Sequence, residues 1–249
     1  MQFSGKTALI TGAASGIGRA VAEDLAARGA TRLILVDRDA PGLATLVLPC
    51  AIDRVIGDVA DDALWARLAT TLADLDHAVI NAGVAAASTI AELPYAEWRR
   101  VLSINLDGAF LTLQAAMRAM QARGGTIVAT SSAAGIKAEA GVAAYGASKA
   151  ALIHLVKVAA KEGASSNIRV NAIAPAGVKT PVWDSVPMFV ERAQTIGRDA
   201  AFDELAAMAT PLGRYATSQE VANQIAFLLS DASALITGTV LLADGGYTL

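Results

Sequence analysis

Two hydrophobic patterns alternate along the chain. Short continuous apolar runs, the mark of a strand buried on both faces, are separated by longer stretches with apolar residues three or four apart, the mark of a helix with one buried face. Lys6 to Thr11 reads as the first strand and leads into Thr11-Gly12-Ala13-Ala14-Ser15-Gly16-Ile17-Gly18. A helix follows with Ile17, Val21 and Leu25 on one face and stops at Gly29. Leu33 to Val36 is the second strand, ending at Asp37, and Pro41 to Cys50 holds a short helix at most. Val55 to Val59 reads as a third strand end, and Asp61 and Asp62 open a helix carrying Leu64, Trp65 and Leu68. Ala78 to Ile80 is the fourth strand, closed by Asn81-Ala82-Gly83.

Trp98 to Gln121 is the longest helical pattern, with Val101, Ile104, Phe110, Leu113 and Met117 in phase. Thr126 to Thr130 is a fifth strand, running into Ser131 and Ser132. The next helix carries Tyr145 and Lys149 and continues through Leu152, Leu155, Val156 and Ala159 to Gly163. Ile168 to Ile173 is the sixth strand, 182–212 is less regular, and a helix with Val221, Ile225, Leu228 and Leu229 precedes a last strand near Thr239 to Leu242. Seven alternations without linker, repeat or low-complexity stretch predict one doubly wound α/β domain over 1–249 with a mainly parallel seven-stranded sheet.

Composition narrows the function classes. Of 249 residues, 54% are hydrophobic and 17% charged, so the chain is globular rather than disordered. A net charge of -3 without a basic stripe argues against nucleic acid as a partner. The mean hydropathy of +0.47, much of it alanine, points to apolar surface buried between subunits. Cys50 is the lone cysteine, so no internal disulfide and no cysteine-based zinc site is expected. His77 and His154 have no partner at metal-ligand spacing and read as structural. No metal is expected. The first apolar run is broken by Gly12, Gly16 and Gly18, so no signal peptide is visible, and no stretch reaches the ~18 apolar residues that span a bilayer. The expectation is a cytoplasmic protein with no membrane contact.

Candidate chemistry collects at the strand ends. A glycine-rich turn between a strand and a helix lets the backbone approach a pyrophosphate at the helix N-terminus. Asp37, about twenty residues past the glycines, can accept hydrogen bonds from ribose hydroxyls and would repel a 2′-phosphate. Arg38 beside it complicates that reading, but position 15 is Ser, so no second basic group assists; NAD is favoured over NADP. Asn81-Ala82-Gly83 lets a flat ring lie against bare backbone, or is a turn held by the Asn side chain. Asn105, polar in an apolar helix, must be satisfied by core hydrogen bonds or by water in a site. Tyr145 and Lys149, four apart, share one helix face, and an ammonium beside a phenol lowers its pKa toward that of a usable base. Gly12, Asp37, Asn81, Ser132 and Pro175 all fall at the carboxyl ends of predicted strands, where such sheets bind ligands.

Taken together, Thr11 to Gly18, Asp58-Val59, Asn81-Ala-Gly83, Ile104-Asn105-Leu106, the paired serines, Tyr145-x-x-x-Lys149, Asn171-Ala-Ile-x-Pro175 and Asp244-Gly-Gly246 resemble the classical short-chain dehydrogenase/reductase family over nearly the whole chain. The resemblance implies a Rossmann-type fold and a catalytic set of Asn105, Ser132, Tyr145 and Lys149. Ser132, thirteen residues before Tyr145 as in the family, is chosen over Ser131. It implies that Tyr145 is the general acid or base, that Lys149 lowers its pKa and holds the nicotinamide ribose, that Ser132 binds the substrate oxygen, and that Asn105 holds a relay water. On the cofactor side it implies Gly12, Ser15, Gly16, Ile17, Gly18, Asp37, Arg38, Asn81, Ala82 and Gly83, with Asp58 and Val59 at the adenine. Pro175, Gly177, Val178 (through its backbone, to the carboxamide) and Thr180 would lie toward the nicotinamide.

The chain departs from the family at Ala176, where glycine is usual, so Gly177 is expected to take the unusual dihedral. The stretch from Asp58 to Asn81 is short, and one Asn rather than two precedes Ala82-Gly83. A lid at about 182–212, with Trp183, Met188 and Phe189, and Ala134 near Ser132, would meet the substrate. The reading is an NAD-dependent secondary alcohol dehydrogenase or ketone reductase acting on a hydrophobic, cyclic or aromatic substrate. The alternatives are a 3-oxoacyl thioester reductase and a non-catalytic dinucleotide-binding protein. Pairing of the Asn105 and Tyr145 helices, as in the family, predicts a homotetramer.

Overall fold

Alternate residues of each central strand enter different cores, because helices cover both faces of the sheet. Leu9, Ile34 and Val36 pack on one side with Leu113, Leu152 and Val156. Their neighbours Ile10, Leu33 and Leu35 pack on the other with Val21, Leu25, Val221 and Ile225. This double burial is why the strands read as continuous apolar runs. The structure, a computed structural model, describes residues 2–249.

The strands are β1 Thr7–Thr11, β2 Arg32–Asp37, β3 Ala51–Ile56, β4 His77–Ile80, β5 Gly125–Thr130, β6 Ile168–Pro175 and β7 Val240–Ala243. They form one sheet in the order β3-β2-β1-β4-β5-β6-β7, and every pairing is parallel. The strand order reverses between β1 and β4, which opens a crevice beyond their carboxyl ends. The helices are α1 Gly16–Ala27, α2 Ala40–Ala44, α3 Asp62–Leu68, α4 Tyr95–Leu102, α5 Gly108–Met120, α6 Ala143–Gly163, α7 Pro187–Ile196, α8 Arg198–Ala209 and α9 Ser218–Leu229. The doubly wound α/β architecture expected from the sequence is the one observed.

Four local expectations need correction. The third strand begins at Ala51, well before Val55; it is the sheet edge, so its burial is partial and Asp53-Arg54 interrupts its apolar run. His77 lies within β4, buried, with Nδ1 2.6 Å from Thr126 Oγ1. The 98–121 helix is interrupted by a π-helical turn at Ser103–Asp107, so the longest uninterrupted helix is α6 with 21 residues. Finally, residues 181–209 are mostly helical: a 3₁₀ turn at Pro181–Ser185, then α7 and α8, joined at Gly197 with φ +89°.

That segment has its own small core of Phe189, Ala201, Phe202, Ala206 and Tyr215. Among the described residues no helix is long and apolar enough to cross a membrane, and no cluster of three potential metal ligands occurs.

Candidate active site

The glycine-rich turn is shaped by what a side chain would strike. Gly12 has φ +66°, and a Cβ there would lie 2.9 Å from Ala82 Cα. A Cβ on Gly18 would overlap the Gly12 carbonyl oxygen. The turn is fastened to the end of β4. Thr11 Oγ1 accepts from the N–H groups of Asn81 (2.9 Å) and Ala82 (3.1 Å), while Asn81 Nδ2 donates to the Thr11 carbonyl at 3.2 Å. The Asn81 side chain therefore serves the turn, and Gly83 leaves bare backbone beside it.

At the end of β2, Asp37 is held from two sides. Its Oδ2 accepts the Ala14 N–H of the glycine-rich turn at 2.9 Å, and its Oδ1 accepts the Asp39 N–H at 3.0 Å. Arg38 points elsewhere, with Nη1 3.4 Å from Asp58 Oδ2. Asp58 also accepts from the Ala60 N–H at 3.0 Å, and the buried Val59 gives its carbonyl to Trp65 Nε1 at 2.9 Å. Ser15 precedes α1 without capping it through its side chain. The N–H groups of Gly16, Ile17 and Gly18 thus have no hydrogen-bond partner among the described residues, and they form the positive end of the helix. The Thr180 side chain lies over Gly16, 3.3 Å from where a Cβ would be.

Ser132, Tyr145, Lys149 and Asn105 come together from three elements. β5 delivers Ser132, whose Oγ accepts the Ala134 N–H at 3.2 Å and whose side chain is close enough to the Tyr145 phenol to oppose the rise in its pKa. α6 places Tyr145 in its first turn and Lys149 one turn on. Lys149 is buried and donates to the Thr130 carbonyl at 2.8 Å; its Nζ is 5.7 Å from the Tyr145 ring centre. The π-helical turn swings Asn105 inward. Its Oδ1 accepts the Val84 N–H at 2.8 Å, and its Nδ2 donates to the Val84 carbonyl (2.9 Å) and to Ser148 Oγ (3.2 Å). Ser148 in turn donates to the Tyr145 carbonyl at 2.7 Å. Both Asn105 N–H donors are thereby used by protein.

Ser148 was not foreseen, although its signal is the hydroxyl inside Tyr145-Gly-Ala-Ser148-Lys149. Ser131, set aside in favour of Ser132, also has a place: its Oγ donates to the Lys149 carbonyl at 2.9 Å.

The titrating groups are moved chiefly by burial. Burial pushes the Tyr145 phenol up, against the opposing hydrogen bond to Ser132, and pushes the Lys149 ammonium down to about 8. The depression of Tyr145 expected from Lys149 is not seen: desolvation of the phenolate raises its pKa, and the opposing contribution comes from Ser132.

Comparison with known proteins is consistent along the whole chain. Residues 12–248 match the family model described as Enoyl-(Acyl carrier protein) reductase. A crystal structure of a short-chain type dehydrogenase/reductase from Mycobacterium marinum superposes with a TM-score of 0.87 at 33% identity, covering 99% of this chain and 97% of that one. The chain belongs to the classical short-chain dehydrogenase/reductase family. It is 40% identical to a cis-4-hydroxycyclohexanecarboxylate dehydrogenase of Sinomonas cyclohexanicum, over 99% of this chain and 98% of that protein. It is 37% identical to a 3-oxoacyl-[acyl-carrier-protein] reductase of Thermotoga maritima, over the full length of both. A levodione reductase structure superposes with a TM-score of 0.89 at 33% identity, covering 98% and 97% of the two chains.

Short-chain dehydrogenases/reductases are oxidoreductases that bind a nicotinamide dinucleotide, and the residues present fit one. The three open N–H groups of α1 suit a pyrophosphate, and the Lys149 ammonium has two N–H groups without a recorded partner. Gly83 keeps the space before that ammonium clear: a Cβ there would stand 3.4 Å from Lys149 Nζ and 3.3 Å from Asn105 Oδ1. Thr130 Oγ1 is buried nearby with no hydrogen-bond partner. The Val178 N–H, beyond the buried Pro175, is also unpaired among the described residues, whereas its carbonyl accepts Trp183 Nε1 at 2.9 Å.

Ala176 in place of the usual family glycine needs no compensation. Neither Ala176 nor Gly177 has a positive φ, so the expectation that Gly177 takes an unusual dihedral is corrected. Gly177 is required for a different reason, since a Cβ would run into the Tyr215 ring. That ring stacks on Trp183, at 5.4 Å between centres and 25° between planes. Trp183 thus packs into the small core of the 181–209 segment, while Met188 stays 63% exposed.

Proposed function

We propose that the protein transfers hydride between NAD(H) and a secondary alcohol or ketone, with Tyr145 as the general acid and base. The observation that carries this reading is the convergence of Ser132, the Tyr145 phenol and the buried Lys149 ammonium, 5.7 Å from the phenol ring centre, beside a crevice that ends in Asp37. In alcohol oxidation the Tyr145 phenolate takes the hydroxyl proton as the C–H bond breaks. Ser132 Oγ donates to the substrate oxygen and stabilises the charge that develops there. Lys149 holds positive charge close to the phenolate, and its unused N–H groups would hold the nicotinamide ribose. The nicotinamide, when bound, supplies the hydride acceptor or donor. In the ketone direction the protonated phenol returns its proton to oxygen.

Asn105 belongs to this set as an anchor. With its side chain engaged by Val84 and Ser148, it fixes the Tyr145 turn, so the expected relay water would not be held by its side-chain amide N–H groups. Asp37 supports NAD over NADP, since its carboxylate is anchored at the ribose end and the neighbouring Arg38 is turned to Asp58. Ala134 beside Ser132, together with the 181–209 segment acting as a lid through its exposed Met188, would meet the substrate, whereas the expected lid residue Trp183 packs into the segment's own core. The cyclic form of the expected substrate is supported by the names of two relatives, the cis-4-hydroxycyclohexanecarboxylate dehydrogenase above and a 2,5-dichloro-2,5-cyclohexadiene-1,4-diol dehydrogenase of Sphingobium indicum.

The second reading, a 3-oxoacyl thioester reductase, is favoured by the Thermotoga maritima relative and weakened by the acidic Asp37. A homotetramer is part of the proposal. The outer faces of α5 and α6 carry an apolar groove of about 540 Å³ lined by Leu106, Phe110, Ala151, Leu155 and Val158, with Phe110 45% exposed.

The test is NADH formation with a panel of cyclic and open-chain secondary alcohols, NAD against NADP, with Tyr145→Phe as control. A Tyr145-dependent rate favouring NAD is expected. Tight NAD binding with no turnover of any alcohol or 3-oxoacyl thioester would reject the catalytic reading in favour of a binding protein.

A further inference from the structure

The stretch between Ser132 and Tyr145 is anchored unevenly. Its start is a 3₁₀ turn at Ala133–Gly135, closed by the Ile136 and Lys137 N–H groups donating to the Ala133 carbonyl at 2.9 and 2.8 Å. Its far end is stitched to the loop after β4 by one backbone bond, Ser88 N–H to the Gly141 carbonyl at 2.8 Å. Between these anchors, Ala138 to Ala140 are exposed. The two charged side chains of this middle part do not pair with each other; both grip Tyr247 near the end of the chain. Glu139 Oε1 accepts the Tyr247 phenol proton at 2.6 Å. Lys137 Nζ donates to the Tyr247 carbonyl at 2.8 Å and stands 4.4 Å from the centre of its ring.

Tyr247 is itself fixed from the opposite side. After β7, Asp244 folds the tail into a tight turn by accepting the Gly246 N–H (3.0 Å), the Thr248 N–H (2.9 Å) and the Thr248 hydroxyl (2.7 Å). Gly245 and Gly246 both have positive φ, at 63° and 88°. The turn abuts the residues that follow α8. Leu212 N–H donates to the Gly245 carbonyl at 3.1 Å, and a Cβ on Gly246 would lie 2.8 Å from Pro211 Cγ. The tail therefore touches both the Ser132–Tyr145 loop and the residues that follow α8. None of its recorded hydrogen bonds reaches residues 12–18 or Asp37.

We infer that residues 244–248 form a strap in which Tyr247, through Lys137 and Glu139, positions the Ser132–Tyr145 loop and so sets how the alcohol, rather than the dinucleotide, is held. Tyr247 is a positioning residue, acting through the loop. The kinetic part of this inference rests on the alcohol–ketone reading above; the structural part does not. Loss of one link leaves the loop free to sample arrangements in which the wall beside the reacting carbon has moved, which weakens productive binding more than chemistry.

The experiment compares wild type, Tyr247→Phe, Glu139→Ala and Glu139→Gln by amide hydrogen exchange and by initial rates. Tyr247→Phe and Glu139→Ala are expected to speed exchange in 136–142 and raise the alcohol KM about fivefold, with kcat and the NAD KM within twofold of wild type. Glu139→Gln, whose amide oxygen still accepts the phenol proton, is expected to restore wild-type values. Unchanged exchange in 136–142 overturns the strap. Faster exchange with an unchanged alcohol KM overturns the positioning role, as does an NAD KM that rises in parallel. If wild type oxidises no alcohol, it is the functional reading that has failed, and exchange in 136–142 alone decides the strap.

Discussion

Replacing Asp37 by Ser should convert the cofactor preference, and the structure fixes the expected size. The carboxylate is half-buried at the end of β2 and immobilised by the Ala14 and Asp39 N–H groups, so its charge stays at the mouth of the crevice. Each oxygen retains a lone pair for a ribose hydroxyl, and a hydrogen bond to a charged acceptor is worth about 2 kcal/mol net, so NAD should bind about thirtyfold more weakly in the variant. A carboxylate and a doubly charged phosphate about 5 Å apart repel by about 2 kcal/mol in a water-like dielectric, and relieving that should help NADP by a similar factor. Arg38 reinforces the effect, since its partner Asp58 holds it only at 3.4 Å and both side chains are substantially exposed. The NADP-to-NAD ratio of kcat/KM should therefore rise by about a thousandfold, which corresponds to about 4 kcal/mol.

The ratio is the proper readout. Asp37 also anchors the glycine-rich turn through Ala14, so the substitution loosens that turn for both dinucleotides, and this loss cancels in the ratio. The assay is initial rate against NAD and against NADP at one saturating alcohol concentration and fixed ionic strength, because screening weakens the repulsion. A ratio that moves by less than twofold, or a wild type that already prefers NADP, would refute the assignment of Asp37 as the selecting group.

Gly18→Ala forces a methyl into the Gly12 carbonyl, so NAD binding measured by fluorescence titration should be lost while circular dichroism stays native. Because burial raises the Tyr145 pKa, alcohol oxidation should quicken with rising pH above neutrality while ketone reduction does not; a pair of kcat/KM profiles with the opposite slope would contradict this. His77 is buried and its pKa is lowered from 6.5 to about 4, mainly by desolvation. The unfolded chain binds that proton from 6.5 downward and the folded one does not until about 4, so stability falls across that window by up to about 3 kcal/mol. His77→Gln should flatten the dependence of Tm on pH between 6.5 and 4, and an unchanged slope counts against the shift. Phe110→Asp should turn a tetramer into smaller species in light scattering, with the mass of wild type as the reference.

The sheet was legible because strands buried on both faces announce themselves as apolar runs and because Asp37, Asn81 and Ser132 punctuate the ends of those runs. The edge strand β3 was read late because one face is open, and Asp53 and Arg54 dilute its pattern. Nothing in Ile104-Asn105-Leu106 reveals a π-helical turn, since the widening is bound up with long-range contacts to Val84 and Ser148. Pro181, Pro187 and Gly197 made 182–212 look irregular, yet they sit at helix boundaries rather than inside helices. An aromatic position such as Trp183 is visible in sequence; whether its ring lines a pocket or packs on Tyr215 is decided by tertiary packing alone. Likewise the spacing of Tyr145 and Lys149 shows that a charge is near, but not how much water both groups have lost.

The buried polar groups show why these features coincide. Thr11, Asn105, Thr130, Ser131, Ser132, Ser148, Lys149 and Thr180 are buried near the carboxyl edge of the sheet or on the helices facing it, while Thr7, His77, Thr112, Asn171, Thr210, Ser230 and Ser233 are buried elsewhere. Lys149 is the costliest of them. A cation whose pKa is lowered from 10.5 to about 8 destabilises the folded chain by about 3 kcal/mol at neutral pH relative to a solvated lysine, and the loss is regained only as pH climbs from about 8 to 10.5. No carboxylate compensates for it among the described residues; the Thr130 carbonyl is its sole recorded hydrogen-bond partner. A buried ammonium kept without a counter-ion, next to a phenol whose pKa burial has raised, costs more than its bond to the end of β5 contributes. It fits the proposed chemistry, in which negative charge would pass through that phenol oxygen, and a bound anionic dinucleotide would supply the missing countercharge.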